Sequence, residues 1–333
     1  GVLLAYHLAA DRSEATQQIL DEIAVVIDPC QNPDGRRRFL HQVRSFGRQR
    51  LEPDPSPWAA EHWSTWPGAR TNHFLFDLNR DWAFLTQAES RARVEAFRRW
   101  RPQVYVDLHE MGRQSSYFFP PPTDPINPHI PPDHLAWFDL FGRANAQAFD
   151  EHGFDYFVGE SFDLFYPGFG DSWPTLQGAI GMTYEQASTR GRLMRRPDGT
   201  VVGYPAAVQH HFVASLTTVR TTAENSTELM ESLVGFGDTM RERSEDDPRR
   251  EIVVSVETGA AQARRLADVL TRQGIKVLRT AEDVEVRMRD LDEEVGEERE
   301  VLLPAGSYRV PLEQPTYALV RSLLDQHIAM GDA

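Results

Sequence analysis

A single cysteine, Cys30, occurs in 333 residues. One thiol leaves no internal disulfide and no cysteine-based zinc cluster, and gives no reading of redox compartment. Long hydrophobic runs are also missing. None approaches the roughly 20 residues that span a bilayer, so no transmembrane helix is expected. Positive charge is scarce, with a formal net charge of −15. That balance disfavours nucleic acid or an anionic membrane as a partner, because both call for a positive face to displace counterions. The acidity itself points to no substrate. There is no initiator methionine, and no Ser, Thr, Asp or Asn caps the apolar opening Gly1–Ala10, which reads as a helix already under way. The sequence is therefore expected to begin inside a domain, and the absence of a secretory signal says nothing of destination.

The apolar fraction of 41 % and charged fraction of 26 % are those of a globular chain, long enough for one large α/β core and a smaller second unit. Ile23-Ala24-Val25-Val26-Ile27 is a short continuous apolar run, expected as a buried parallel strand. It leads into Asn32-Pro33-Asp34-Gly35, a dense turn signal. Residues 36–76 lack clean periodicity and read as long surface loops. Thr86-Gln87-Ala88-Glu89 has capping-box form and opens a helix ending near Trp100, before Arg101-Pro102. Val104–Leu108 reads as a second strand with His109 at its carboxyl end, and Gly178–Tyr184 as a third ending at Glu185. Polar residues at strand ends sit where open α/β sheets place ligands. A helix is expected over Asp133–Glu151 and helical structure from Pro205 to about Glu245. The stretch 245–250 reads as a linker. Beyond it come Ile252–Val256, a helix from Ala260 to Gln273 closed by Gly274, and Ile275–Leu278, a small β-α-β unit. The acid-rich stretch Glu282–Glu300 reads as a solvated face, followed by Tyr308–Val310 and a final helix near Tyr317–Asp325.

Three places could carry chemistry. An imidazole at a strand terminus, His109, can ligate a metal or act as a base, and can equally be an ordinary hydrogen-bonded histidine. Glu185, following an apolar strand, is either a desolvated carboxyl poised as a general base or a solvated loop glutamate. The third is Arg70-Thr71-Asn72-His73 with Asp77-Leu78-Asn79-Arg80-Asp81-Trp82. There an arginine fork and a neighbouring amide can hold a carboxylate, or Arg80 can pair structurally with Asp77 or Asp81.

Taken in order, Asn32–Gly35, Asp77–Trp82, Val106-Asp107-Leu108-His109 and Thr183-Tyr184-Glu185 resemble the zinc carboxypeptidase family over roughly residues 1–230. The resemblance implies an α/β fold with a mixed, mostly parallel sheet flanked by helices. The catalytic domain would cover 1–245, and 250–333 would form a small C-terminal α/β unit of unassigned role. It implies one catalytic zinc held by a His-x-x-Glu pair and a later histidine, His109, with Glu185 as general base. Asn79 and Arg80 would grip a terminal carboxylate. Arg70 would offset charge on the scissile carbonyl, and Tyr166 would be a substrate-contacting tyrosine, with Tyr156 and Tyr184 as competitors. The implied partner is a peptide or protein with a free C-terminal carboxylate, with neither nucleic acid nor membrane. Export of many relatives extends to a secreted or periplasmic location.

The sequence departs from that pattern in one respect: it contains no His-x-x-Glu. One histidine cannot hold a catalytic zinc, which needs about three protein ligands. Two of the three are therefore expected upstream of residue 1, and the fragment alone is expected to be inactive. Two rivals stand beside a metallocarboxypeptidase: an amidase or deacylase on the same fold, and a metal-free module that binds peptide C-termini.

Overall fold

The computed structural model describes residues 1–47, 53–63, 65–257, 259–289 and 298–330. Local punctuation sets its first helices. α1 (Val2–Ala10) and α2 (Glu14–Glu22) are separated by a short link in which the Ser13 hydroxyl accepts from Thr16 N. α3 (Pro33–Gly47) grows out of the expected turn. The Asn32 side-chain oxygen accepts from Gly35 N at 2.9 Å, and Pro33 occupies the first helical position, where no N–H is needed. The turn residues of Asn32–Gly35 are thus a helix start, and the expected loop over 36–76 is helix as far as Gly47. Loop structure holds over the described residues from 53 to 76, apart from a 3-10 turn at Ala60–His62. α4 (Ala88–Trp100) forms without the expected capping box. The Thr86 hydroxyl donates instead to Asp81 at 2.6 Å, and the same carboxylate accepts from Thr86 N and Gln87 N.

The chain continues through β1 (Val104–Met111), β2 (Tyr117–Phe118), β3 (Thr123–Ile126), α5 (Pro132–His152), β4 (Asp163–Leu164) and α6 (Ser172–Thr175). Then follow β5 (Ile180–Ala187), β6 (Leu193–Arg195), β7 (Val201–Gly203), α7 (Tyr204–Glu224) and α8 (Ser226–Asp246). The central sheet is mixed, in the order β1-β5-β2. β1 and β5 run parallel from Val104↔Ile180 to Met111↔Ala187, and β2 pairs antiparallel with β5. Every residue of β5 is buried, including the polar Thr183, Glu185 and Gln186, as in a strand covered on both faces. Ile23–Ile27 is not a strand. It is extended, and Ile23, Val25 and Ile27 turn onto Leu4, Leu8 and Ile19 and the α7 residues Phe212, Leu216 and Val219. Its alternation is satisfied by helices, with no described strand pairing its backbone.

The C-terminal residues form β8 (Glu251–Val254), α9 (Ala260–Arg272), β9 (Leu278–Arg279), β10 (Val284–Met288), β11 (Arg299–Leu303), β12 (Tyr308–Pro311) and α10 (Tyr317–Leu324). The expected β-α-β unit is present with a strand inserted, since β12 lies antiparallel between β8 and β9. The acid-rich stretch is not simply a solvated face: β10 and β11 pair antiparallel, with Val284, Val286 and Met288 half-buried on alternate positions. Residues 290–297 lie outside the described residues. The stretch 245–250 is no loose linker either. Asp247 is buried and accepts from Arg249, Tyr317 and Arg321. These contacts overcome the cost of its burial and hold its carboxyl below the usual range.

Among the described residues no helix is long and apolar enough to cross a membrane. On α7, His210 is buried against Phe154, with Nδ1 2.8 Å from Gln186 Oε1. Burial, aided by Arg196, pulls its imidazole down to about 4 from an ordinary 6.5. The unfolded chain therefore binds the extra proton between those values, so this contribution to stability is full above pH 6.5 and is lost as pH falls toward 4. His210→Gln, which can still donate to Gln186, is expected to lose about 3 kcal/mol less than the wild type between neutral pH and pH 4. Urea unfolding at both pH values checks this, and equal acid losses in the two proteins would remove His210 as the cause.

Candidate functional site

The β1–β5 register places His109 directly beside Glu185 and Asp107 beside Thr183. Asp107 and His109 are two apart on one strand, so both side chains leave the same face. His109 Nε2 lies 2.8 Å from Asp107 Oδ2. Against the cost of burying Asp107, the charge and hydrogen bond of His109 hold its carboxyl below the usual range. Burial likewise opposes protonation of His109, but Asp107 and then Glu185 outweigh it and push the imidazole up. Glu185 sits in the opposite balance. Burial drives its carboxyl up to about 7, only partly offset by His109, and Oε2 has no hydrogen-bond partner. Of the two carboxylates facing one imidazole, one is held ionised and the other sits near neutrality.

The loop from Asp77 to Trp82 supplies the next layer. Asp77 Oδ1 accepts from Asn79 N, starting a 3-10 turn over Leu78–Arg80. Asn79 then bridges two elements: Nδ2 lies 3.3 Å from His109 Nε2, and Oδ1 accepts from Gly170 N at 2.7 Å. Arg80 pairs with neither acid beside it. Asp77 is taken by Arg70, whose Nε donates to Oδ2 at 2.9 Å, and Asp81 accepts from Thr86 and Gln87 just ahead of α4. Among the described residues Arg80 makes no ion pair, and its guanidinium lies 4.2 Å over the Phe169 ring. Phe169 in turn meets Tyr166 edge-on at 5.1 Å.

The structure therefore gathers Asn79, His109 and Glu185, with Arg80 and Tyr166 together at the neighbouring Phe169. Arg70 is half-exposed and committed to Asp77. Of the competing tyrosines, Tyr184 is fully buried with its hydroxyl on Thr218 and Asn145, and Tyr156 stacks on Phe119. Two further residues belong to the site. Asp107 was legible in the i, i+2 spacing to His109. Gly170 was not, because its need arises only on folding: a Cβ there would lie 2.4 Å from Asp107 Oδ2 and 3.1 Å from Asn79 Oδ1.

The chemistry of the donor set tests whether a zinc ion fits. His109 offers one imidazole, and its Nε2 faces Asp107. Among the described residues no group of three or more His, Cys, Asp or Glu side chains could hold a metal ion. The residues present therefore do not complete a zinc site, which takes about three protein ligands.

The sequence model of the zinc carboxypeptidase family matches residues 1–187, and the chain belongs to that family. Among solved structures it is similar to a metallo-carboxypeptidase from Burkholderia cenocepacia, at 16 % identity over 70 % of this chain and 52 % of the other, with a TM-score of 0.42. It is also similar to thrombin activatable fibrinolysis inhibitor (TAFI), at 15 % identity over 67 % of this chain and 60 % of the other, with a TM-score of 0.43. The chain thus spans between about half and three-fifths of those proteins. Comparison with curated proteins finds no match.

Gly170→Ala is expected to force Asp107 and Asn79 apart, at a cost of about 1–3 kcal/mol in folding stability. Chemical denaturation measures it. A variant as stable as the wild type would show that the loop carrying Gly170 yields at no cost and does not fix Asp107.

Proposed function

We propose that this chain carries the substrate-gripping and proton-handling residues of a peptidase that removes C-terminal residues from peptides. The observation that carries this reading is the buried, unpartnered Glu185 carboxyl beside His109, with Asn79 and an arginine free of acidic partners on the adjoining loop. Arg80 and Asn79 hold the terminal carboxylate of a peptide, the arginine through its planar fork and the asparagine through its amide. Glu185 is the general base: a carboxyl poised near neutrality accepts a proton from the attacking water and returns it to the leaving amine. Arg70 lies close enough to influence both Glu185 and His109, so its charge offsets negative charge developing on the scissile carbonyl. Tyr166 closes the aromatic side of the grip. His109 would contribute one ligand to the family's zinc, and the described residues do not supply the others. The two sequence units, 1–245 and 250–333, divide into this catalytic part and a supporting part, and a secreted or periplasmic setting follows the relatives.

A second reading is a module that binds peptide C-termini without cleaving them, which the same Asn79–Arg80 arrangement would serve. Both readings require the grip. A fluorescent peptide with a free C-terminal carboxylate is expected to bind more tightly than its C-terminal amide. Arg80→Gln should weaken the free acid about ten- to a hundredfold while leaving the amide unchanged, the range for a lost hydrogen bond to a charged group. Fluorescence anisotropy reads both. Equal affinity for acid and amide in the wild type would sink the grip and both readings with it. Release of the C-terminal residue by a longer form that carries the remaining zinc ligands, slowed about 10²–10⁴-fold in Glu185→Gln with affinity retained, separates enzyme from binder.

A further inference from the structure

Just ahead of Asn79 and Arg80 in the chain, residues 73–76 present an apolar tip to water. Phe74 is 71 % exposed, Leu75 47 % and Phe76 48 %, and large apolar side chains grouped this way mark contact sites. What distinguishes this tip from an ordinary loop is how firmly it is built. Asn72 is fully buried, and its side-chain oxygen accepts from both Phe74 N and Phe76 N at 3.0 Å. Its amide donates to Gln87 Oε1 at the start of α4. Its backbone closes the turn through Asn72 N to Phe76 O and Leu75 N to Asn72 O. Leu75 is held at a φ of 67°, in the left-handed region where a leucine is strained. Arg38 on α3 fastens the base by donating to the carbonyls of Gly68, Thr71 and Asn72. The Thr71–Asp77 bridge and the Arg70–Asp77 ion pair close the stem. Three elements therefore hold a strained turn in place, and what they hold out is hydrophobic.

We propose that Phe74, Leu75 and Phe76 form a rigid docking tip for an apolar side chain of a bound peptide, upstream of its C-terminal residue. The inference rests on the peptide-gripping reading of Asn79 and Arg80 and names what that site prefers. Continuity selects the occupant. Phe76 precedes Asp77, whose carboxylate fixes Asn79 N, and Asn79 touches His109. Three residues span at most about 10 Å, which is also the span of a bound peptide from its gripped end to a side chain about three residues upstream. The net charge of −15 repels an anionic lipid surface. A preformed tip also loses little conformational freedom on binding, which is the advantage such rigidity confers.

Four fluorescein-labelled hexapeptides test this, with Phe or Ser three residues before the end, each as the free acid and as the amide. The wild type is expected to bind the Phe peptide about tenfold tighter than the Ser peptide, the scale of one partly buried aromatic ring. Phe74→Ser/Phe76→Ser, which alters only exposed side chains, should bind the two alike while melting at the wild-type temperature. Leu75→Asn, which suits the left-handed backbone, should reduce the preference in part. No preference in the wild type, or one that survives in the double variant, overturns the proposal. If the preference tracks the tip while acid and amide bind equally, the tip stands and the carboxylate grip fails. Tip-dependent co-sedimentation with phosphatidylcholine vesicles, or tip-dependent dimers in analytical ultracentrifugation, would replace the peptide with lipid or a second copy and so overturn it.

Discussion

Parallel pairing of β1 with β5 is the constraint from which the site follows. The register sets His109 against Glu185, and a slip of one residue would turn every side chain of one strand to the opposite face. Burial of β5 then does electrostatic work. A carboxyl brought into a fully covered strand cannot ionise as easily as one in water, so Glu185 is driven up to about 7 by its position in the sheet. Asp107 escapes the same fate because strand periodicity brings it onto the face of His109, and the short contact between them holds it ionised. Asp171 is raised instead, because the cost of its burial outweighs the hydrogen bonds it accepts from Thr183 and Ser172. Two carboxyl groups on neighbouring strands thus take different states, Asp107 held ionised by His109 and Glu185 raised by burial.

Division of labour among neighbouring charges explains the Asp77–Trp82 loop. A sequence in which Asn79-Arg80 is bracketed by two acids invites the expectation that the arginine is neutralised at home. Both acids are occupied elsewhere, Asp77 by Arg70 and the backbone of Asn79, Asp81 by the N-terminus of α4. Each acid therefore shapes the loop, and the guanidinium is left over an aromatic ring, with Nη1 donating to the Asn79 carbonyl at 2.8 Å. Arg70 is correspondingly less available than its spacing suggested, because it is half of the ion pair that closes the hairpin stem.

Legibility divided along the same physical lines. The mixed α/β class, both strands of the central pair, helices α4 and α5 and the helical stretch of α7 and α8 could be read because apolar periodicity and turn residues are local signals. His109 and Glu185 stood out because they follow apolar runs, yet they do not end their strands: β1 and β5 continue two residues further, to Met111 and Ala187. What could not be read depended on partners far away in the chain. Ile23–Ile27 has a strand's composition, yet its side chains are claimed by α1, α2 and α7. Thr86 has a capping residue's chemistry, yet its hydroxyl is claimed by Asp81. Gly170 is one of 22 glycines, and nothing nearby in sequence reveals that Asp107 and Asn79 fill the space its side chain would need.

The C-terminal unit shows the same logic at larger scale. A composition break at 245–250 marks a boundary in sequence, but the apolar core crosses it: Ile252, Leu270, Val310 and Leu319 belong to one cluster with Trp82, Trp173 and Tyr184. At the crossing stands Gln273, fully buried at the end of α9. Its side-chain oxygen accepts from Trp173 Nε1 at 2.6 Å, and its amide donates to the carbonyls of Trp82 and Ala83. Trp82 ends the Asn79-Arg80 loop, and Trp173 follows the Phe169-Gly170 turn. One buried amide from the C-terminal unit therefore ties together the two loops whose junction, Gly170 N on Asn79 Oδ1, orients Asn79 toward His109. A buried polar group of this kind is costly to leave unpaired, so its bonds lock the loops to each other rather than merely to the core. The C-terminal residues, silent as to chemistry in their own sequence, thus help to fix the geometry on which the site's chemistry depends.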